Sequence, residues 1–264
     1  MSVKFNHGFS LVELSIVLVI LGLLAGGIIT GQSLIRAAGI RSVTNDLQRY
    51  STAIYTFRDK YSALPGDMTN ATKFWTARGG DGTGNDAGCI NASSSSTKAT
   101  CNGNGDGIVE GAAVLFCERF LAWQHLANAG LIAGSFTGVD GAATHGDGAD
   151  ANFVKHGVNV PQGRATSSAY FEIGIRPATS GDTNWFDQPN QSTHMGAQGN
   201  KLTSEEAWSI DKKLDDGNPV TGRIYSVKKG STWASNWTTT NDSTAQYNIL
   251  SGVGVTNCPL YYGF

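Results

Sequence analysis

A single carboxylate lies inside the longest apolar run of this 264-residue chain. The run extends from Phe9 to Ile29, and Glu13 is the only ionisable side chain within it. A charged carboxylate at the centre of a lipid bilayer costs about 2.5–3.5 kcal/mol, so such groups are usually paired and functional. We therefore expect Glu13 to be a functional group with a partner.

A second set of residues could bind a metal ion. Residues 102–110 alternate oxygen-bearing side chains with glycines, and Gly107 lies where a calcium loop turns sharply. Hard oxygen ligands at this spacing suit Ca²⁺. The candidate ligands are the side chains of Asn102, Asn104, Asp106 and Glu110 and the backbone carbonyl of Ile108.

The match of this loop to an EF-hand is incomplete. Its first position holds Asn102 instead of Asp, and Ala113 occupies the place of the closing bidentate Glu. Glu110, Asp81 or Asp86 would have to complete the ligand shell. The alternative is a hydrogen-bonded turn without metal, which the sequence slightly favours. We expect no required cofactor, and Ca²⁺ is the one candidate ligand.

The chain has four cysteines, an even number that favours disulfides in a domain facing an oxidising compartment. Cys89 and Cys101 flank the serine tract 93–96 and could close a small surface loop. Cys117 and Cys258 would then tie the tail of the chain to a helix. Three pairings exist for four cysteines, and the alternative for Cys117 is a buried thiol on its helix.

The other reactive side chains do not form an arrangement typical of an enzyme. The five histidines include no His-x-x-x-His zinc spacing, and no Gly-x-Ser-x-Gly elbow is present. Isolated histidines such as His125 are expected at the surface or as capping residues. The net charge of −2 indicates no basic groove for nucleic acid. We therefore predict a protein that is not an enzyme.

The apolar run around Glu13 is long enough to cross a membrane. A spanning helix needs about 20 apolar residues, and the 21 residues 9–29 meet that length. The eight residues before it carry Lys4 and His7, and they are too short and polar for a secretory signal peptide. We therefore divide the chain into residues 1–8, a transmembrane segment, residues 9–30, and residues 31–264. The last part would form the amphipathic half of the long helix and a periplasmic or extracellular globular domain.

These N-terminal features together resemble a known family. Lys4 in a short leader, the Gly8–Phe9 junction and Glu13 resemble prepilins, which include type IV pilins and the pseudopilins of type II secretion systems. The resemblance implies that a prepilin peptidase cleaves after Gly8 and that Phe9 is then N-methylated. It also implies that Glu13 pairs with the terminal amine of a neighbouring subunit during filament assembly.

The same resemblance implies partners and a location. The partners would be copies of the chain or related pilins, together with the peptidase and an inner-membrane assembly platform. The subunit would sit in the bacterial inner membrane as a single-pass protein before assembly. Afterwards it would belong to a cell-surface pilus or a periplasmic pseudopilus.

Apolar residues recur beyond the membrane segment at alternating steps of three and four, which predicts one helical stripe. The stripe consists of Ile40, Val43, Leu47, Tyr50, Ile54, Phe57 and Tyr61. We predict a continuous helix over Phe9–Tyr61, ended by Pro65, Gly66 and Asp67. Further helices are predicted at Ala112–Ala129 and Ser204–Leu214.

The region after Leu64 is rich in glycine, serine, threonine and asparagine, with short apolar runs that predict strands at Tyr170–Ile175 and Arg223–Val227. The expected fold class is α+β. In this pilin-like fold, the amphipathic half of the long helix packs on an antiparallel sheet within a loop-rich globular domain.

Two functions fit these features. The first is a structural subunit that polymerises into a type IV pilus or pseudopilus. The second is a membrane-tethered, calcium-dependent binding or adhesin module that does not polymerise. A simple anchor gains nothing from a buried acid, whereas a polymer can use Glu13 to set subunit register, so we expect the structural subunit.

Overall fold

The computed structural model describes the globular part of the chain in several segments. They are residues 10–78, 98–107, 109, 118–139, 156–163, 170–173, 194–198, 202–226, 246–249, 258 and 260–263. The helices are α1 (Leu11–Tyr61), α2 (Glu118–Asn128) and α3 (Ser204–Leu214), with a short 3-10 helix at Ala71–Lys73. The strands are β1 (Tyr170–Ile173), β2 (His194–Gln198), β3 (Ile224–Tyr225) and β4 (Leu260–Gly263).

Helix α1 begins at a capping box and ends at a left-handed residue. The Ser10 hydroxyl accepts the N–H of Val12 at 3.3 Å, and the Glu13 carboxylate accepts the N–H of Ser10 at 2.9 Å. At the other end Ser62 has φ 52°, and its N–H bonds the carbonyl of Arg58. The predicted long helix is confirmed from Leu11 onward, and Phe9 lies outside the described residues.

The two halves of α1 have different surroundings. The stripe predicted for the second half is buried from Val43 to Phe57, with Ile40 and Tyr61 partly buried at its edges. In the first half, an 18-residue window is apolar enough by length and composition to cross a membrane, and 0% of it is buried. The helix therefore joins an exposed apolar part to the core of the domain.

The core forms where α2 packs on the second half of α1. Trp123 of α2 meets Tyr50 of α1 edge to face, with ring centroids 5.0 Å apart. Helix α2 ends in a Schellman motif, in which the N–H of Leu131 bonds the carbonyl of Leu126 and Gly130 has φ 73°. Residues 112–117 of the predicted second helix lie outside the described residues.

Helix α3 has the predicted bounds and its own capping box. The Thr203 hydroxyl accepts the N–H of Glu206 at 3.3 Å, and the Glu206 carboxylate accepts the N–H of Thr203 at 2.8 Å. Buried Ala207 and Ile210 face the core, and α1 lies against both α3 and β2.

The four strands form one antiparallel sheet in the order β1-β2-β4-β3. Tyr170 pairs with Gln198, Met195 with Tyr262, and Ile224 with that same Tyr262. Strand β4, at the end of the chain, thus lies between two strands that precede it in sequence.

Candidate functional site

The N-terminal candidate site is centred on Glu13, one turn into α1. Its carboxylate turns back toward the helix start to reach the N–H of Ser10. A helix N-terminus carries partial positive charge, which favours an acid in this position. Gly8 and Phe9 lie outside the described residues. Glu13 is therefore held at the end of the helix nearest the predicted cleavage junction.

The surface around Glu13 is apolar and exposed on all sides. Large hydrophobic side chains from Leu11 to Ile35 are at least half exposed. They are Leu11, Val12, Leu14, Ile16, Val17, Leu18, Val19, Ile20, Leu21, Leu23, Leu24, Ile28, Ile29, Leu34 and Ile35. No part of the described globular domain covers this surface. Such a large apolar surface is not stable in contact with water, so lipid or another protein must cover it.

The predicted calcium loop is anchored by a residue outside it, Asp67. Its Oδ1 accepts the N–H groups of Gly105 at 2.6 Å and Asp106 at 3.1 Å, and its Oδ2 accepts the N–H of Gly107 at 3.0 Å. Burial raises the pKa of the Asp67 carboxyl, and these backbone hydrogen bonds oppose that rise. The loop therefore presents its N–H groups to a carboxylate.

The candidate ligand side chains within the loop also hold hydrogen bonds. Oδ1 of Asn102 accepts the N–H of Thr72 at 3.0 Å. Oδ1 of Asn104 accepts the N–H of Asp106 at 3.0 Å, and Nδ2 of Asn104 donates to Oδ2 of Asp106 at 3.0 Å. The Asn104 oxygen thus forms a local turn, whereas the Asn102 oxygen joins the loop to the short helix at Ala71–Lys73.

The hydrogen bonds of these asparagine side chains compete with calcium coordination. Ca²⁺ takes six to eight oxygen ligands at about 2.3–2.6 Å. The described oxygens at Asn102 and Asn104 already accept backbone N–H groups, which fits a hydrogen-bonded turn better than an ion cage. Ile108 and Glu110 lie outside the described residues, so calcium binding stays a prediction.

A different acidic group lies at the C-terminal end of helix α3. Ligand atoms of Asp211, Asp215 and Asp216 are all within 4.8 Å of one another. Asp211 is buried, and its carboxylate accepts the N–H of Gly217 at 3.1 Å and the hydroxyl of Tyr247 at 2.8 Å. Burial raises the pKa of Asp211 to about 7. These bonds order the turn between α3 and β3.

The cysteine predictions are confirmed only in part. Cys101 is in a disulfide. Cys258 is a buried thiol beside the hydroxyl of Ser226, at 3.0 Å, and burial raises its pKa to about 12. The predicted bridge from Cys117 to Cys258 is therefore wrong, because the tail is held in the core by packing. Cys89 and Cys117 lie outside the described residues.

The expectation that His125 is a surface or capping residue is wrong. Its ring is buried and stacks on those of Phe57 and Trp75, with centroids 6.3 and 5.4 Å away. Nδ1 accepts the N–H of Gly66, and Nε2 lies 3.0 Å from the hydroxyl of Thr100. Burial lowers the pKa of His125 to about 4. The neutral ring therefore joins the end of α1 to α2 and has no surface for substrate.

The comparison with protein families bears on the N-terminal site. The family model described as the prokaryotic N-terminal methylation motif matches residues 4–29. The chain is pilin-like at its N-terminus. The match contains Lys4, the Gly8–Phe9 junction and Glu13, and it covers most of the exposed apolar part of α1. No curated protein and no solved structure matches the chain.

The matched motif and the long apolar helix fit a membrane-anchored pilin precursor of the kind that prepilin peptidase processes. Two structural residues were not recognisable in the sequence. Asp67 was predicted only as part of a helix stop, and Glu206 only as a residue of the helix at Ser204–Leu214. Their partners lie 38 and 170 residues away, and no local pattern signals such contacts.

Proposed function

We propose that the chain is a structural subunit that polymerises through its N-terminal helix into a type IV pilus or pseudopilus. The observation that supports this most is the position of Glu13, the one acid in an exposed apolar helix, inside the matched methylation motif. A helix that only anchors a domain would gain its N-terminal cap from this acid but nothing from the charge, since glutamine caps as well.

The proposal follows from the energetics of the acid. Once the leader is removed, the chain begins at Phe9, one residue before Ser10, whose N–H the Glu13 carboxylate accepts. A neighbouring subunit can place its own terminal amine at the same axial position as Glu13. The protonated amine would then form an ion pair with the Glu13 carboxylate. In a low-dielectric environment an unpaired carboxylate is costly and a paired one is not. Pairing therefore favours one axial register between neighbouring helices.

The exposed apolar surface gives the driving force. Residues 11–35 expose large aliphatic side chains that lipid covers in the membrane. When the subunit leaves the membrane, only the same helix of neighbouring copies can cover so long a surface. The prepilin peptidase and an inner-membrane assembly platform are the proposed processing partners, and the assembled subunit would lie in a surface pilus or periplasmic pseudopilus.

The globular domain is proposed to be carried on the filament and not to act as an enzyme. Its second half of α1 packs against α2, α3 and β2, which supports the pilin-like α+β arrangement. Within the described residues, no observation favours the alternative of a calcium-dependent module that does not polymerise.

The test replaces Glu13 with Gln. Glutamine can still accept the N–H of Ser10, so the capping box stays intact while the charge is lost. We expect normal membrane insertion and no filaments by electron microscopy. Ser15→Ala, two residues away on the opposite side of the exposed helix, is the control and should assemble normally. Filaments of normal number and length in Glu13→Gln would exclude the proposed role.

Processing gives a separate check. Mass spectrometry of assembled material should find an N-terminus at Phe9 with one added methyl group. Residues 1–8 retained in that material would contradict the proposal, whatever the result for Glu13→Gln.

A further inference from the structure

Arg36 and Glu206 form a two-point ion pair between the exposed part of α1 and helix α3. Nη2 of Arg36 donates to Oε2 of Glu206 at 3.0 Å, and Nε donates to Oε1. Paired N–H groups that meet both oxygens of a carboxylate fix orientation as well as distance. The two residues are 170 positions apart in sequence, so the pair joins distant parts of the chain.

Glu206 is held in place by its own helix cap, independently of Arg36. Its Oε2 also accepts the N–H of Thr203, and its side chain is only 11% exposed. Most surface ion pairs contribute little because two long side chains must be ordered together. Here the carboxylate is already ordered, so only Arg36, which is 59% exposed, loses freedom.

The pair lies at a boundary in α1. We call residues 11–39 the stem. Packing on the domain begins at Ile40, which is partly buried, and the first fully buried residue is Val43. Among the described residues, the pair of Arg36 and Glu206 is the one hydrogen-bonded side-chain contact between the stem and the domain.

The stem also contains features that favour bending before Arg36. Gly26, Gly27 and Gly31 are surrounded by open space, so packing within the subunit does not require glycine at these positions. Each costs about 1 kcal/mol of helix stability relative to alanine. The Thr30 hydroxyl donates to the carbonyl of Gly26 at 3.0 Å, a contact that often bends helices.

We propose that the contact between Arg36 and Glu206 sets the pivot between the membrane stem and the globular domain. With the contact formed, α1 is fixed to the domain from Arg36 onward, and bending is confined to the segment 26–31. Without it, the helix is fixed only from Ile40, so the point of attachment moves about 6 Å along the helix axis and residues 36–39 are also free to bend. The subunit would then present its domain over a wider range of angles.

The test measures a distance across the contact in the full chain, in lipid nanodiscs. Spin labels on non-canonical amino acids replace Ser33 in the stem and Lys213 in α3, both exposed. Two variants remove the contact, Arg36→Ala and Glu206→Gln. Glutamine at this position keeps the capping box, and alanine suits an exposed helix position. The matched control is Glu205→Gln, the same charge change one residue away.

The expected result is a broader distribution of label distances in both variants and an unchanged one in Glu205→Gln. The thermal midpoint of the domain should fall by no more than a few degrees in Arg36→Ala, whose side chain is 59% exposed and lies outside the core. A distribution in Arg36→Ala as narrow as in the parent protein overturns the proposal. Because the measurement is made on single subunits, this outcome is independent of whether the protein forms filaments.

Discussion

The carboxylate of Asp67 accepts the backbone N–H of Gly105 at 2.6 Å, across 38 residues of chain. This contact joins the turn after α1 to the predicted calcium loop. The two segments also approach closely at Gly103, where a Cβ atom would come within 2.3 Å of the carbonyl oxygen of Gly66. Asp67 and the loop therefore form one structural unit at the end of α1, whether or not a metal binds there.

Replacing Asp67 with Asn should destabilise this unit. The two oxygens of Asp67 accept three backbone N–H groups, and an amide nitrogen would face one of them as a second donor. Gly107 is exposed, so its N–H can bond water instead, and the loss is that of a hydrogen bond, about 0.5–1.5 kcal/mol. Denaturant unfolding should show a loss of this size, while Asp59→Asn, an exposed acid on α1, should unfold like the parent. Equal midpoints for all three proteins would show that the bonds contribute nothing.

Calcium binding to residues 102–110 can be tested by thermal unfolding. The ion would have to displace the N–H groups that Asn102 and Asn104 accept, so we expect weak binding, with a Kd of about 10⁻⁴–10⁻³ M. Excess Ca²⁺ should then raise the midpoint of the unmutated protein and leave that of Asp106→Ala unchanged. The same midpoint with calcium and with chelator in the unmutated protein would mean that the loop is a plain turn.

The helices were predictable because their signals are local. The spacing of Val43, Leu47, Tyr50, Ile54 and Phe57 repeats every three or four residues, and α1 buries that same stripe. Helix α3 starts and ends as its acidic first turn and basic last turn indicate. The Glu13 site was also local, since a single acid in an apolar run stands out in the sequence alone.

The contacts that hold the domain together were not predictable in this way. The local sequence around His125 does not indicate that its ring lies between Phe57 and Trp75. That arrangement forms only when α1 and α2 pack together. Whether Cys258 is a thiol or part of a disulfide likewise depends on where the C-terminal part of the chain packs. Cysteine number limits the pairings but does not choose among them.

The pKa of His125 predicts one pH dependence of stability. Burial lowers the folded-state pKa from 6.5 to about 4, so the unfolded chain binds a proton more readily between these values. Stability should therefore fall as pH drops from about 6.5 to about 4. In His125→Asn, the new Oδ1 can still accept the N–H of Gly66. This variant should be less stable than the parent, but its stability should no longer decrease between pH 6.5 and about 4 because of this residue. Denaturant unfolding at several pH values measures both effects, and an unchanged slope in the variant would contradict the assignment.

The pKa of Asp211 predicts a dependence of the opposite sign. Burial raises the folded-state pKa from 3.8 to about 7, so the folded protein keeps a proton that the unfolded chain releases. Stability should fall as pH rises through this interval and then stay constant above about pH 7. Asparagine at this position can still accept the hydroxyl of Tyr247, so Asp211→Asn should lose the dependence without losing that hydrogen bond.

The two effects act over overlapping pH ranges, so they offset each other in the unmutated protein and are best separated by the two variants. In Asp211→Asn only the His125 dependence should remain, so stability should fall on acidification. In His125→Asn only the Asp211 dependence should remain, so stability should fall as pH rises toward 7. Asp59→Asn, which changes an exposed carboxylate, should follow the parent curve. Parallel curves for the parent and Asp211→Asn between about pH 4 and pH 7 would show that Asp211 is ionised in the folded domain throughout that range.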